Sequence, residues 1–386
     1  MKTAAMFCSG LLLIVGRMLA AQTPGPCLGF SRAAYVNWPQ FHSDVCHTGY
    51  NASEFILSPL TIGNLVLDWK YKTEDSGYSS PVVANGVVYV GSSDNNVYAL
   101  NAITGAKLWS YTTGNTVESS PAVANGVAYV GSWDGNVYAL NARTGAKLRS
   151  YTTGPVRSSF TVANDLVYVG AEAAVYALNA WTGALQWSVY SSMPVFATPA
   201  VANGVVYVGF QHSLYALDAT TGAELWHYDT ASNVVSSPAV ANGVVYVGSA
   251  PGDANVYALN AVTGAKLWSY HTSIGVESSP AVANGVVYVG SNTPDNNVYA
   301  LNATTGDKLW TYTTNDAVFS SPAVADGLVY VGSFDGDVYA LNAATGAKLW
   351  SYKTNGLVYS SPAVANGVLY ASSHDGYLYA FHLPGK

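Results

Sequence analysis

Charge is scarce in this chain: only 10% of its 386 residues are Asp, Glu, Lys or Arg, and no dense cluster of Lys or Arg occurs anywhere. With a formal net charge of -7, it lacks the basic surface that displaces counterions from phosphates, which excludes a nucleic-acid partner. Cysteine is nearly absent, at three residues, all before position 47. Long apolar runs are missing too, except at the start, where Lys2 precedes an apolar stretch to Val15 and the small residues Ala20 and Ala21 follow. That stretch reads as a signal peptide over residues 1–21, too short and too interrupted by Arg17 for a lasting span. The mature chain is therefore expected to be exported, periplasmic or extracellular, without a transmembrane segment.

What is abundant is Gly (37), Tyr (29) and a repeated string, SSPAVANGVVYVGS. Equivalent positions fall at Pro81, Pro121, Phe160, Pro199, Pro238, Pro280, Pro322 and Pro362, spaced 39 to 42 residues apart. Each unit reads as four short strands separated by turn residues: Asn-Gly first, Asp-Gly or Asp-Asn second, and a Thr-Gly turn third. Four antiparallel strands at this period predict an all-β fold, an eight-bladed β-propeller of four-stranded blades over residues 66–386. An outer-strand tryptophan recurs at Trp69, Trp109, Trp187, Trp226, Trp268, Trp310 and Trp350, with Arg149 in the remaining slot. Trp69 precedes the first unit and the last unit has no tryptophan strand, so the N-terminal strand is expected to complete the final blade and close the ring.

The segment ALNAITGAKLW resembles the tryptophan-docking motif of the pyrroloquinoline-quinone-like repeat family, A-x-D-x-x-T-G-x-x-x-W. Seven copies occur, six with Asn where the family has Asp; Asp218 alone keeps it. The preceding NWPQFHSDVCHTGYN is similar to a W-x-x-x-x-x-D-x-x-H-T-G segment of bacterial members, and residues 22–65 are read as an arm plugging the ring. The resemblance implies a quinoprotein-like propeller of the bacterial envelope or exterior. It covers quinone-dependent alcohol and glucose dehydrogenases as well as non-enzymatic proteins such as BamB, so fold and function are separate questions.

No vicinal Cys-Cys pair of the alcohol dehydrogenases is present, and no residue carries across as a catalytic base or calcium ligand; the expectation is no catalytic residue and no metal. Removal of the signal leaves Cys27 and Cys46, which in an oxidising compartment are expected to pair. His42, Cys46 and His47 have some metal-like character but no fourth ligand. The Asp-rich tips lack the order of an EF-hand loop and read as hairpins.

The variable position is the one before each Ser-Ser-Pro or its equivalent: Tyr78, Glu118, Arg157, Phe196, Val235, Glu277, Phe319 and Tyr359. These are expected to ring the channel mouth, Glu118 facing Glu277, joined by the hairpin-tip residues Trp133, Phe334 and His374. The reading is a non-catalytic, monomeric scaffold binding an envelope or extracellular protein, peptide or small ligand there. The alternatives are a dehydrogenase using pyrroloquinoline quinone with calcium on an alcohol or sugar, and a carbohydrate-binding module.

Overall fold

The computed structural model describes residues 37–385. The signal-peptide reading and Cys27 lie outside the described residues; Cys46 is buried and disulfide-bonded. The described chain forms eight four-stranded antiparallel sheets. Blade 1 runs Val82–Ala84, Val87–Gly91, Asn96–Asn101 and Lys107–Thr112, and blades 2 to 7 repeat that order outward. In blade 8, strands Ala363–Ala365, Val368–Ser373 and Tyr377–His382 are joined by Val66–Lys72, with Trp69 opposite Ala380. The fold is therefore the eight-bladed propeller expected, closed by strands from both ends of the repeat region. Its turns use the predicted chemistry: Asn85 and Gly86 take φ of 51° and 78°, as a tight hairpin demands.

Two side-chain systems tie neighbouring blades. Near the axis, the second residue of each Ser-Ser pair accepts a hydrogen bond from its counterpart's backbone N–H in the preceding blade. The bonds run Ser80 to Ser120, Ser120 to Ser159, Ser159 to Thr198 and Thr198 to Ser237, then through Ser279, Ser321 and Ser361 back to Ser80, at 2.8 to 3.0 Å. The circle is unbroken. Each blade thus satisfies the preceding blade's buried amide, which ties the ring shut without extra burial of apolar surface.

Farther out, six of the seven docking tryptophans donate their indole N–H to an alanine carbonyl of the next blade, and a second-strand tyrosine donates its hydroxyl to the same oxygen. Ala142 accepts from Trp109 at 2.9 Å and from Tyr89 at 3.0 Å. A glycine of the Thr-Gly turn lies under each of these six indoles; a Cβ on Gly145 would sit 2.7 Å from Trp109, and its φ of +73° also favours glycine. The Asn that replaces the family's Asp does the same work: Asn101 Oδ1 accepts from the N–H groups of Ile103 and Thr104, as Asp218 Oδ1 does from Thr220 and Thr221.

Arg149 occupies the tryptophan register, opposite Ala139, and its guanidinium donates to the Ala180 carbonyl in place of an indole. The stem fills less of the slot, and a small crevice remains beside Tyr129 and Gly183. Arg149→Trp is expected to raise stability by about 1 to 2 kcal/mol through added apolar burial, read as a higher denaturant midpoint. An unchanged or lower midpoint would show that the slot cannot take the ring.

Blade 8 has no Thr-Gly turn, and the pattern changes where it meets blade 7. Trp350 donates instead to Leu65 O at 3.0 Å, and the fully buried Tyr330 hydroxyl has no hydrogen-bond partner. A buried orphan hydroxyl costs about 1 kcal/mol or more. Tyr330→Phe should therefore stabilise the ring by about 1 kcal/mol, measured by urea unfolding; a loss of stability would mean that the hydroxyl is satisfied in solution.

The arm does more than fill space. Innermost strands expose an edge toward the axis, and unpaired edge amides are costly when buried. From residue 38 onward the arm visits the blades in order. The N–H groups of Val83, Val123, Val201, Val240, Val282 and Val324 donate to the carbonyls of Trp38, Pro39, Val45, Cys46, Thr48 and Gly49 at 2.7 to 2.8 Å. Val162 donates to Gln40 Oε1, and Asn51 Nδ2 donates to Val364 O. Asn37 and Glu54 accept from Asn85 and Gly367 at the Asn-Gly turns, so the arm occupies the turn end of the innermost strands. No helix among the described residues is long and apolar enough to cross a membrane.

Candidate site at the channel mouth

The opposite end of the innermost strands carries the variable positions. Each follows a buried residue in blades 2 to 8, as with Val117, Val156, Val195, Val234, Val276, Val318 and Val358, and each precedes a buried Ser or Ala. The variable residue itself is half-buried or exposed in all eight blades. Burial alternates along this segment as it does in an extended chain: the valine packs between blades while its neighbour turns toward the opening. In blade 3, Phe160 in place of proline restores a backbone N–H, and the innermost strand lengthens to Val156–Ala163, carrying Arg157 within it.

The mouth has two unlike sides. On one, Phe319 packs on Phe334 with ring centroids 4.6 Å apart and on Tyr359 at 5.7 Å; Tyr359 meets Tyr78 at 5.5 Å, and Tyr78 lies 4.2 Å from His374. Blades 7, 8 and 1 thereby present one continuous aromatic arc. On the other, the Arg157 guanidinium lies over the Trp133 ring at 4.2 Å and 5.3 Å from Phe196, a cation–π arrangement. Val235 lies in a shallow groove with Phe196, Met193 and Asn233, apart from the aromatic arc.

Glu118 and Glu277 sit at the two ends of the arc, in blades 2 and 6. Burial pushes both carboxyls up; for Glu118 the Arg157 charge opposes it, and for Glu277 the Asn292 amide does. Asn292 Nδ2 donates to Glu277 Oε1 at 2.9 Å. Burial and the nearby charges of Glu277 and Glu118 hold the Tyr359 phenol up at about 12, so this tyrosine senses both carboxylates. Among the described residues no ion pair includes Glu118, Glu277 or Arg157.

Sequence reasoning overlooked Asn292. It occupies the hairpin-tip position after Val-Gly-Ser, as Trp133 and Phe334 do, and register alone would have placed it at the mouth. Several of the buried polar atoms that lack a hydrogen-bond partner lie here: Trp133 Nε1, Arg157 Nε, Asn292 Oδ1 and His374 Nε2. The Asp tips prove to be structural. Asp134 accepts from the Tyr138 hydroxyl at 2.6 Å and from the N–H groups of Asn136 and Gly114, an Asx-type turn that also touches the neighbouring loop. Among the described residues no group of three or more His, Cys, Asp or Glu side chains is arranged to hold a metal ion.

Pyrroloquinoline quinone carries three carboxylates. At this mouth they would face two half-buried acids whose burial already disfavours charge, and the Arg157 guanidinium is stacked on Trp133. The residues present do not fit that cofactor.

In structural comparison the chain is similar to the quinohemoprotein alcohol dehydrogenase of Comamonas testosteroni, at 18% identity and a TM-score of 0.79, covering 91% of this chain and 81% of that one. BamB of Moraxella catarrhalis matches at 22% identity and a TM-score of 0.72, covering 82% and 99%. A europium-containing methanol dehydrogenase matches at 16% identity and a TM-score of 0.76, covering 90% and 98%. At these identities the likeness concerns the fold. No curated protein matches the chain. Residues 66–158, 149–232, 171–317 and 294–384 match the family described as outer membrane protein assembly factor BamB, which spans nearly the whole ring, and the chain belongs to that pyrroloquinoline-quinone-type repeat family.

Proposed function

We propose that this protein is an exported, non-catalytic propeller that binds other envelope or extracellular proteins at its channel mouth. The observation that carries the reading is the division of the innermost strands. The turn end is sealed by the arm, while the other end, just beyond the serine circle, presents eight side chains of five types on that rigid ring. A rigid scaffold displaying variable aromatic and charged residues suits recognition, because little ordering entropy is lost on binding. The similarity to BamB, whose family description names outer membrane protein assembly, supports an envelope setting.

A quinone-dependent oxidation is the alternative drawn from the dehydrogenase neighbours, and the charge of the mouth argues against it. A sugar-stacking role is disfavoured because the face of Trp133 is covered by Arg157. The test is affinity capture of envelope proteins by the wild-type chain and by a Glu118→Ala/Glu277→Ala double variant. Partners retained by the first and lost by the second are expected; identical partner sets would remove the mouth as the binding surface.

A further inference from the structure

Resting on that reading, we infer that the aromatic arc of the mouth is a receptor for an alkylammonium group. The arc of Phe319, Phe334, Tyr359 and Tyr78 is bounded at one end by Glu277 and at the other by Glu118. Aromatic faces attract cations through their quadrupoles, and the attraction grows when the cation also meets a carboxylate. The mouth holds one cation in this manner: Arg157 over Trp133 at 4.2 Å. Among the described residues the other cations stacked on rings are Lys70 and Lys348, over Tyr377, Tyr379 and Tyr339, and none lies over the arc.

An independent sign of a ligand comes from Asn292. It is only 6% exposed, its amide nitrogen is spent on Glu277 Oε1, and its Oδ1 has no partner. A buried amide oxygen beside a carboxylate without a counter-ion calls for a donor that carries positive charge. The chemistry favours an ammonium over a guanidinium. A guanidinium fork seeks both oxygens of one carboxylate, and Asn292 occupies Oε1 of Glu277. An ammonium has three rotatable donors and can divide them between the free carboxylate oxygen and Asn292 Oδ1 while its alkyl stem lies on the rings.

The ammonium can belong to a lysine side chain of a protein partner or to a free amine, and two probes separate these sources: acetyl-Gly-Lys-Gly-amide and n-butylamine, titrated calorimetrically against the full chain at neutral pH. Saturable binding of either supports the inference; binding of the peptide alone assigns the source to a protein. The neutral control, acetyl-Gly-norleucine-Gly-amide, should bind at least about tenfold more weakly. Glu277→Gln should weaken the ammonium probe by about tenfold, and Asn292→Leu by a few-fold. Thermal melts check that each variant is folded; Glu118→Gln serves as a second variant if Glu277→Gln is not. Failure of both probes to bind, equal binding of the norleucine control, or binding unchanged in the folded variants would overturn the inference. The capture experiment remains separate: partners lost in the double alanine variant without ammonium binding would leave the scaffold reading intact and remove this one.

Discussion

Asp44→Ala is expected to destabilise the protein by about 3 kcal/mol. Asp44 Oδ1 accepts from the N–H groups of Cys46 at 2.9 Å and Thr48 at 3.2 Å, and Oδ2 accepts the Thr48 hydroxyl. These bonds fold residues 44–48 into the turn that places the Val45, Cys46 and Thr48 carbonyls against blades 4, 5 and 6. Alanine leaves two amides without their acceptor and loosens three links to the ring. Thr48→Val, which removes only the hydroxyl bond, should cost about 1 kcal/mol. Urea unfolding measures both. A loss below about 0.5 kcal/mol for Asp44→Ala would mean that the arm contributes little to holding the blades together.

The second large effect is acid sensitivity centred on two histidines of the arm. His42 Nδ1–H donates to the His47 carbonyl at 3.3 Å, while Nε2 has no partner. His47 Nε2 lies 2.7 Å from the Thr161 hydroxyl, which itself donates to Pro199 O, so His47 must donate through Nε2 and keep Nδ1 bare. Burial lowers His42 to about 4; burial and the neighbouring His42 lower His47 to about 3. Below pH 6.5 the unfolded chain takes up these two protons and the folded chain does not, so stability falls as pH drops from 6.5 toward 4 and 3. His42 by itself accounts for about 3 kcal/mol across that window.

Asp44 works in the opposite direction. Burial, opposed by the bonds from Thr48, Cys46 and His47, raises its carboxyl from 3.8 to about 6. The folded state therefore binds that proton first as pH falls, and its contribution to stability grows between pH 6 and 4 by about 3 kcal/mol. With two histidines against one aspartate, the arm's net effect is a loss of about 3 kcal/mol on going from pH 7 to 4. Replacing His42 with Phe, which keeps the stack on Phe41 at 4.4 Å, should remove about that much of the pH dependence. Stability profiles of wild type and variant between pH 7 and 4 are the measurement; parallel profiles would show that His42 is free to charge in the folded protein.

The arm also shows how far sequence reading reaches. Trp38, Asp44, His47, Thr48 and Gly49 are recognisable in the sequence as a motif. Their individual tasks were not legible. His47 reaches Thr161, 114 residues away, and a Cβ on Gly49, at φ +62°, would come within 2.7 Å of the Ala281 Cβ. Such contacts join segments distant in sequence, and periodicity carries no information about them. The serine circle is similar. SSP was visibly constant, but only the ring geometry shows that the second hydroxyl serves the neighbouring blade. In blade 4, where the string reads ATP, Thr198 keeps that hydroxyl while Ala197 drops the first, and the circle stays whole.

The sequence by itself determined the number of blades, the strand order within each, the joining of both ends in one sheet and the docking register of the tryptophans and Arg149. Those features are local or repeat at a fixed period: turn residues choose hairpins, and a unit copied eight times must stack on its own copies. The tertiary structure alone decided what the variable positions become together. Eight residues that are each about 40 positions apart meet at one mouth, and there Phe319, Tyr359 and Tyr78 form an aromatic arc, Arg157 turns onto Trp133 instead of pairing with Glu118, and Asn292 holds Glu277. Side-chain identity was written in the chain; which side chain faces which is a property of ring closure, because it depends on the angle between blades and on the rotamers that packing leaves open.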